Sequence, residues 1–447
     1  MKKIFKKNKL FVVTILILSF ISCGEKKEHQ QLNELEINMN SIAESYVKLV
    51  LNVGQYDPLY VDAYYGPEEW KPSGKNLPMD STAYNKLNSG ADSLLTALES
   101  LSNFKATELE TLRYRYLYKQ ILAVKAEIAV LNGTKFPFNI EAKAFYDASA
   151  PVENEEYFQK IIFQIDSLLP GKGNIQERMF NFKKRFQIPE EKVAAVFDAA
   201  INECRLRTAK YIQLPEGEKF KVEYVEKKPW GAYNWYKGSF FSVIQITTDF
   251  PTYIDSPVAT ASHEGYPGHH VYNVLLEKNL VKDRRWVEYT VYPLYSPQSL
   301  IAEGTANYGV EILFPGTEKI KFEKEVLFPL AGLDTTGADL YYKIDSLREK
   351  LSSGENFAAR NYLDGAWTDE ETVNWLQKFQ LLTKERAEKY LSFIKTYRSY
   401  VVTYDTGKKI ISDYIERHGG TEDNIAKRWE LFTKIISTPQ TPSGLQD

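Results

Sequence analysis

Cysteine is scarce: Cys23 and Cys204 are the 2 in a chain of 447 residues. A disulfide-stapled fold is therefore excluded. Cys204 falls in the helical-looking run Glu190 to Ile212, where a small apolar thiol is expected to be buried and inert. An excess of one charge is also lacking. The 56 Lys and Arg nearly balance the 59 Asp and Glu, giving a formal net charge of -3, so no extended basic surface recommends nucleic acid as a partner. No apolar run reaches the roughly 18 to 20 residues that cross a bilayer as a helix. A repeat period and low-complexity tracts are missing too, which excludes a solenoid. What remains is an ordinary globular composition, long enough for a large core in two or three lobes with a cleft. The 30 Tyr and 24 Phe are expected mainly as amphipathic packing at the rim of that core.

The first residues read as targeting rather than fold. Lys2, Lys3, Lys6, Lys7 and Lys9 precede the apolar run Leu10 to Ile21, and Ser22-Cys23 follows. A small residue before a cysteine resembles the lipobox of bacterial lipoproteins, although Phe20 stands where leucine is commoner. On this reading residues 1–22 are a signal peptide, Cys23 is the lipidated first residue, and 23–31 form a charged tether. With Cys23 acylated, no disulfide can form within the mature chain. The membrane is then met through the anchor alone. Gly24 does not look like an inner-membrane retention signal, so resemblance to other bacterial lipoproteins favours the outer membrane and leaves the leaflet open.

From Leu32 onward apolar residues recur at helical spacing, with Leu35, Ile42, Ala43, Tyr46, Val47 and Val50 on one face and a break at Asp57-Pro58. Further helices are expected near Ser81 to Leu101, Thr107 to Leu131, Glu155 to Leu169, Ile175 to Phe186 and Pro189 to Ile212. A small sheet is expected where Lys219 to Val225 alternates and Gly238 to Thr248 is rich in β-branched and aromatic residues. Helical pattern then resumes, notably at Phe357 to Leu363, Thr368 to Leu382, Thr383 to Tyr397 and Gly407 to Arg417. The fold class is mainly α with a small antiparallel β-sheet beside the helix of the site. An N-terminal helical region, 32–215, precedes a catalytic region, 216–447.

Three of the five histidines lie in His263-Glu264-Gly265-Tyr266-Pro267-Gly268-His269-His270. Imidazoles are good zinc ligands, and a glutamate beside the first is placed to take a proton from a water that the ion activates. A common zinc-hydrolase pattern sets its two histidines four residues apart on one helix face. Here that position is Pro267. On a regular helix His269 would lie about 240° around from His263, and His270 about 10 Å along the axis. Pro267-Gly268 can bulge the chain out of register, because proline lacks the amide and glycine tolerates irregular dihedrals. Such a bulge brings His269 to the ligand position; His269 is preferred over His270, which is then free to touch substrate or a supporting carboxylate.

Glu303, in Leu300-Ile301-Ala302-Glu303-Gly304, is the third ligand candidate, since a carboxylate among apolar neighbours is costly unless paired. Asn307 and Tyr308 could orient a ligand or donate to substrate. A structural zinc usually takes four protein ligands, often cysteines, which are not available here. One catalytic zinc per chain is the resulting expectation, with Glu264 as general base.

The motif, followed by Glu303-Gly304, resembles the bacterial family called domain of unknown function 885. That family is similar to zincin metallopeptidases of the glutamate-ligand type, and the resemblance covers most of the chain beyond the leader. It implies a multi-helix, zincin-like peptidase architecture. Thr305 stands where the family usually has tryptophan. Toward the C-terminus Tyr397-Arg398 and Tyr404-Asp405-Thr406-Gly407 resemble the family's Arg-Tyr and Tyr-x-x-Gly segments, with Thr403 and Asp405 as departures and no preceding Pro-Gly-Gln. By that resemblance Tyr404 donates to the oxyanion and Arg398 clamps a substrate carboxylate; packing tyrosine and surface arginine are the alternatives.

The expected activity is hydrolysis of peptides, with the strand in Ser239 to Thr247 offering its edge to the substrate. A zinc hydrolase of other amides or esters would use the same residues. A lipid-anchored binding protein without turnover would have no need of Glu264. Sequence preference, endo- or exo-cleavage and oligomeric state are left open.

Overall fold

In a computed structural model, residues 34–228 and 230–447 are described. The leader, Cys23 and the tether lie outside the described residues. Helix α1 spans 34–53 and stops ahead of Asp57-Pro58. It is followed by β1 (Val61–Tyr64), α2 (Ser81–Ser100), α3 (Glu108–Leu131), α4 (Phe138–Tyr146), α5 (Glu155–Leu168), α6 (Ile175–Lys184) and α7 (Glu190–Ala209). The helices begin where side chains can satisfy the first free amides. Asp80 accepts from the Ala83 amide at the start of α2, and Thr107 with Glu110 closes a capping box on α3.

The sheet strands are β2 (Lys219–Val225), β3 (Ala232–Tyr236) and β4 (Phe241–Thr247). Strand β4 is central, antiparallel to β3 and parallel to β2. Its Ser242, Ile244 and Ile246 are buried, the period of two expected when one face covers a core. Next come α8 (Ser256–Thr260) and α9 (His269–Leu276), then β5 (Val291–Pro293), which pairs antiparallel with β1.

Helix α10 (Pro297–Leu313) precedes two short helices, α11 (Glu318–Phe322) and α12 (Phe328–Ala331). The C-terminal part consists of α13 (Ala338–Glu349), α14 (Ser353–Leu363), α15 (Asp369–Phe379), α16 (Lys384–Tyr397), α17 (Val402–Arg417), α18 (Ile425–Ser437) and α19 (Pro442–Gln446). The fold is mainly helical with a minor sheet. One apolar core runs from Leu35 on α1 to Leu445 on α19, so the two regions read from the sequence share their interior. Cys204 lies fully inside it. Among the described residues no helix is long and apolar enough to cross a membrane.

Helix α10 is the hub that positions the site. A Cβ on Gly304 would sit 2.5 Å from the backbone of Gly407 on α17, and one on Gly309 would sit 2.6 Å from Ser262 Oγ and 3.3 Å from Pro267 Cδ. Only hydrogens at these two positions let α10 lie against α17 on one side and the histidine segment on the other.

Candidate metal centre

The histidine segment departs from regular helix where its sequence requires. Helix α8 widens into a π-helical turn over Ala261–Gly265, the chain bends through Tyr266-Pro267-Gly268, and α9 begins at His269. Proline has no amide to continue the ladder. The Tyr266 amide donates to Ala261 O at 3.1 Å and the Gly268 amide to Ser262 O at 2.9 Å. A Cβ on Gly268 would stand 1.9 Å from His263 O. Glycine is thus the residue that lets the second helix fold back onto the turn carrying His263.

The result brings His263 and His269 together, with their Nε2 atoms 3.1 Å apart. Glu303 Oε2, from α10, lies 3.2 Å from His263 Nε2 and 3.6 Å from His269 Nε2. Three donors of a tetrahedral zinc, each about 2.0 to 2.1 Å from the ion, stand about 3.3 to 3.4 Å apart. The three side chains therefore present one face of such a tetrahedron. Glu303 Oε2 is buried without a hydrogen-bond partner, an arrangement that is costly unless a cation compensates it. His263, His269 and Glu303 thus fit a divalent ion of zinc's size and ligand preference.

The residues around this triangle fix its orientation. His263 Nδ1 lies 3.0 Å from Asn307 Oδ1; a proton on Nδ1, donated to that carbonyl, leaves Nε2 free to ligate. Tyr400 donates its hydroxyl to Glu303 Oε1 at 2.8 Å, so the carboxylate is held by one oxygen and presents the other. The electrostatics favour a positive charge here. Burial opposes protonation of His263, but the Glu303 and Glu264 carboxylates prevail and push its pKa up to about 9. Burial works the other way on Glu303, yet the two imidazoles bring its carboxyl well below the usual range. Glu264 is buried, and desolvation raises its pKa against the pull of both histidines. Its Oε2 has no partner, which leaves an acceptor oxygen available.

Glu264 and the three candidate ligands line one cavity of about 230 Å³, together with Tyr404 and Tyr400. Strand β3 forms another wall and is an edge strand of its sheet. The strand expected to offer its edge, β4, cannot do so, because β2 and β3 occupy both of its sides. Of the two edge strands, β2 and β3, it is β3 that lines the cavity. Asn234 on β3 donates to the Glu264 carbonyl at 2.7 Å and ties that strand to the histidine turn.

Three expected substrate contacts lie elsewhere. His270 is fully buried, with Nδ1 2.9 Å from Ser242 Oγ and Nε2 3.0 Å from Glu218 Oε2. It fastens α9 to the sheet, since the residue after a ligand on a helix turns about 100° away from it. Tyr308 is also fully buried, and Arg428 Nε donates to its hydroxyl at 2.6 Å. Five residues beyond Glu303 is about 140° around the helix, whereas Asn307, four beyond, shares the Glu303 face.

Arg398 does not reach the cavity. Its guanidinium pairs with Glu141 at 2.7 Å, and the same buried carboxylate accepts from the Ser399 amide and hydroxyl. That clamp joins the α16–α17 turn to α4 and so places Tyr400. Tyr400 went unnoticed in the sequence; Tyr397 ends α16, Tyr400 lies in the turn and Tyr404 on α17, and the break at Arg398 brings all three phenols to the cavity wall.

No family model matches the chain, and no curated protein matches it. Its fold is similar to that of a solved chain from Colwellia psychrerythraea described as a "putative lipoprotein". The two superpose with a TM-score of 0.51 over 84% of this chain and 69% of that one, at 13% sequence identity. At that identity the likeness is one of fold.

Proposed function

We propose that this chain is a zinc-dependent hydrolase, a metallopeptidase that cleaves peptides, carried at the bacterial cell envelope by a lipid on Cys23. The observation that supports the reading best is the triangle of His263 Nε2, His269 Nε2 and Glu303 Oε2, with the unpartnered Glu264 carboxylate lining the same cavity. The resemblance of the histidine segment and Glu303-Gly304 to zincin peptidases supports it as well. The envelope location rests on the Lys-rich leader, Ser22-Cys23 and the description of the Colwellia neighbour, with the outer membrane as the preferred site.

A bound zinc supplies Lewis acidity and lowers the pKa of a water toward about 7. Glu264 takes the proton from the attacking water and returns it to the leaving amine. Tyr404, on the cavity wall, donates to the developing oxyanion. The unpaired edge of β3 pairs with the extended peptide backbone and sets its direction.

A peptide mixture digested by the zinc-loaded protein and read by mass spectrometry tests the reading. Cleavage is expected, with loss on adding a chelator. Glu264→Gln is expected to retain zinc and lose on the order of 10²- to 10⁴-fold in rate. Cleavage that survives the chelator, or a variant as fast as the parent, would refute the proposal; zinc binding without any turnover would point to a silent binding protein.

A further inference from the structure

The charged side chains of the cavity wall are unevenly matched. Three carboxylates line it, Asp62, Glu264 and Glu303, and no lysine or arginine does. Glu303 faces the two imidazoles, and Glu264 is occupied by proton transfer in the proposed mechanism. Asp62 has neither role. It sits on β1 and accepts from the hydroxyl of Tyr233 on edge strand β3. Among the described residues it forms no ion pair, and Lys237, which exerts a weaker pull on it, does not line the cavity. Burial pushes its carboxyl up to about 6, against the Tyr233 hydrogen bond and the pull of His269, and no ion pair among the described residues offsets the burial of its charge.

The geometry points to Asp62 as the anchor for a cationic group of the substrate, the free amino terminus of a short peptide. The enzyme would then remove residues from the amino end. An ammonium would meet a carboxylate held in place by Tyr233, whereas a carboxyl terminus would find no arginine or lysine on the wall to receive it. This inference rests on the metallopeptidase reading and names the substrate class of that same site.

Binding separates it from turnover. The zinc-loaded full chain carrying Glu264→Gln is titrated calorimetrically with Ala-Ala-Phe amide, its N-acetyl form, and N-acetyl-Lys-Ala-Phe amide. The free amine is expected to bind on the order of 10- to 100-fold more tightly than both acetylated peptides, the weight of a charge-assisted hydrogen bond. Adding Asp62→Asn, or Asp62→Ser if the first does not fold, should remove that preference.

Equal binding of the free and acetylated alanyl peptides would overturn the proposal, as would a preference that persists without the carboxylate. Tight binding of the acetylated lysyl peptide would overturn the amino-terminal assignment and transfer the subsite to a side chain. Failure of the parent protein to cleave peptides would sink the hydrolase reading and leave this comparison intact.

Discussion

At the residue scale, the triangle of candidate ligands is oriented by two side chains outside it. Asn307 sets the His263 tautomer and Tyr400 orients Glu303. Removing such partners typically costs 10- to 100-fold in metal affinity. Asn307→Ala and Tyr400→Phe are each expected to weaken zinc binding by about that factor, measured by competition with a chromogenic chelator; unchanged affinity in both would show that the triangle is held by its scaffold alone. The convergence of His263, His269 and Glu303 was legible because spacing and residue type restrict imidazole and carboxylate chemistry so tightly. His270 was not, since its direction depends on where the bulge ends and α9 begins. Tyr308 could have been placed by helix arithmetic, which carries it off the Glu303 face.

At the scale of elements, the site is built where backbones touch. The crossing of α10 and α17 at Gly304 and Gly407 brings Glu303 next to the Tyr400 segment. A methyl at 304 would lie 2.5 Å from backbone that cannot swing aside. Gly304→Ala is expected to destabilise the fold by about 1 to 3 kcal/mol or more, the usual cost of overpacking, read from the shift of the denaturant midpoint. An unshifted midpoint would mean that the helices separate easily.

Helix periodicity announced most of these elements, because apolar residues at 3.6-residue spacing survive any rearrangement of the neighbours. Strand order did not announce itself. That β4 is flanked on both sides while β2 and β3 are the edges follows from pairing between distant segments, and β1 and β5, of 4 and 3 residues, are too short for alternation to register.

At the scale of the whole molecule, one core joins both regions, and buried acids within it link stability to pH. Glu127 on α3 is buried; desolvation, with Asp57 and Glu141 adding to it, raises its carboxyl to about 8. In the unfolded chain the group titrates near 4.3. Between those values the folded state binds the extra proton, so this contribution to stability is fully present below about pH 4.3 and is lost as pH rises through 8. The slope is at most about 1.4 kcal/mol per pH unit for one group. Chemical denaturation at pH 5.5, 6.5 and 7.5 should show Glu127→Gln losing less stability with rising pH than the parent; parallel curves would place the proton elsewhere. Sequence alone showed a helix here and could not show that this glutamate lies on its buried face.

The central claim is that His263, His269 and Glu303 hold one divalent ion. Crystals of the protein grown with zinc and measured on both sides of the zinc absorption edge test it directly. The account predicts a single anomalous peak per chain, about 2.0 to 2.2 Å from His263 Nε2, His269 Nε2 and Glu303 Oε2. A peak on His270 and Glu218, or none in the cavity at saturating zinc, would contradict it.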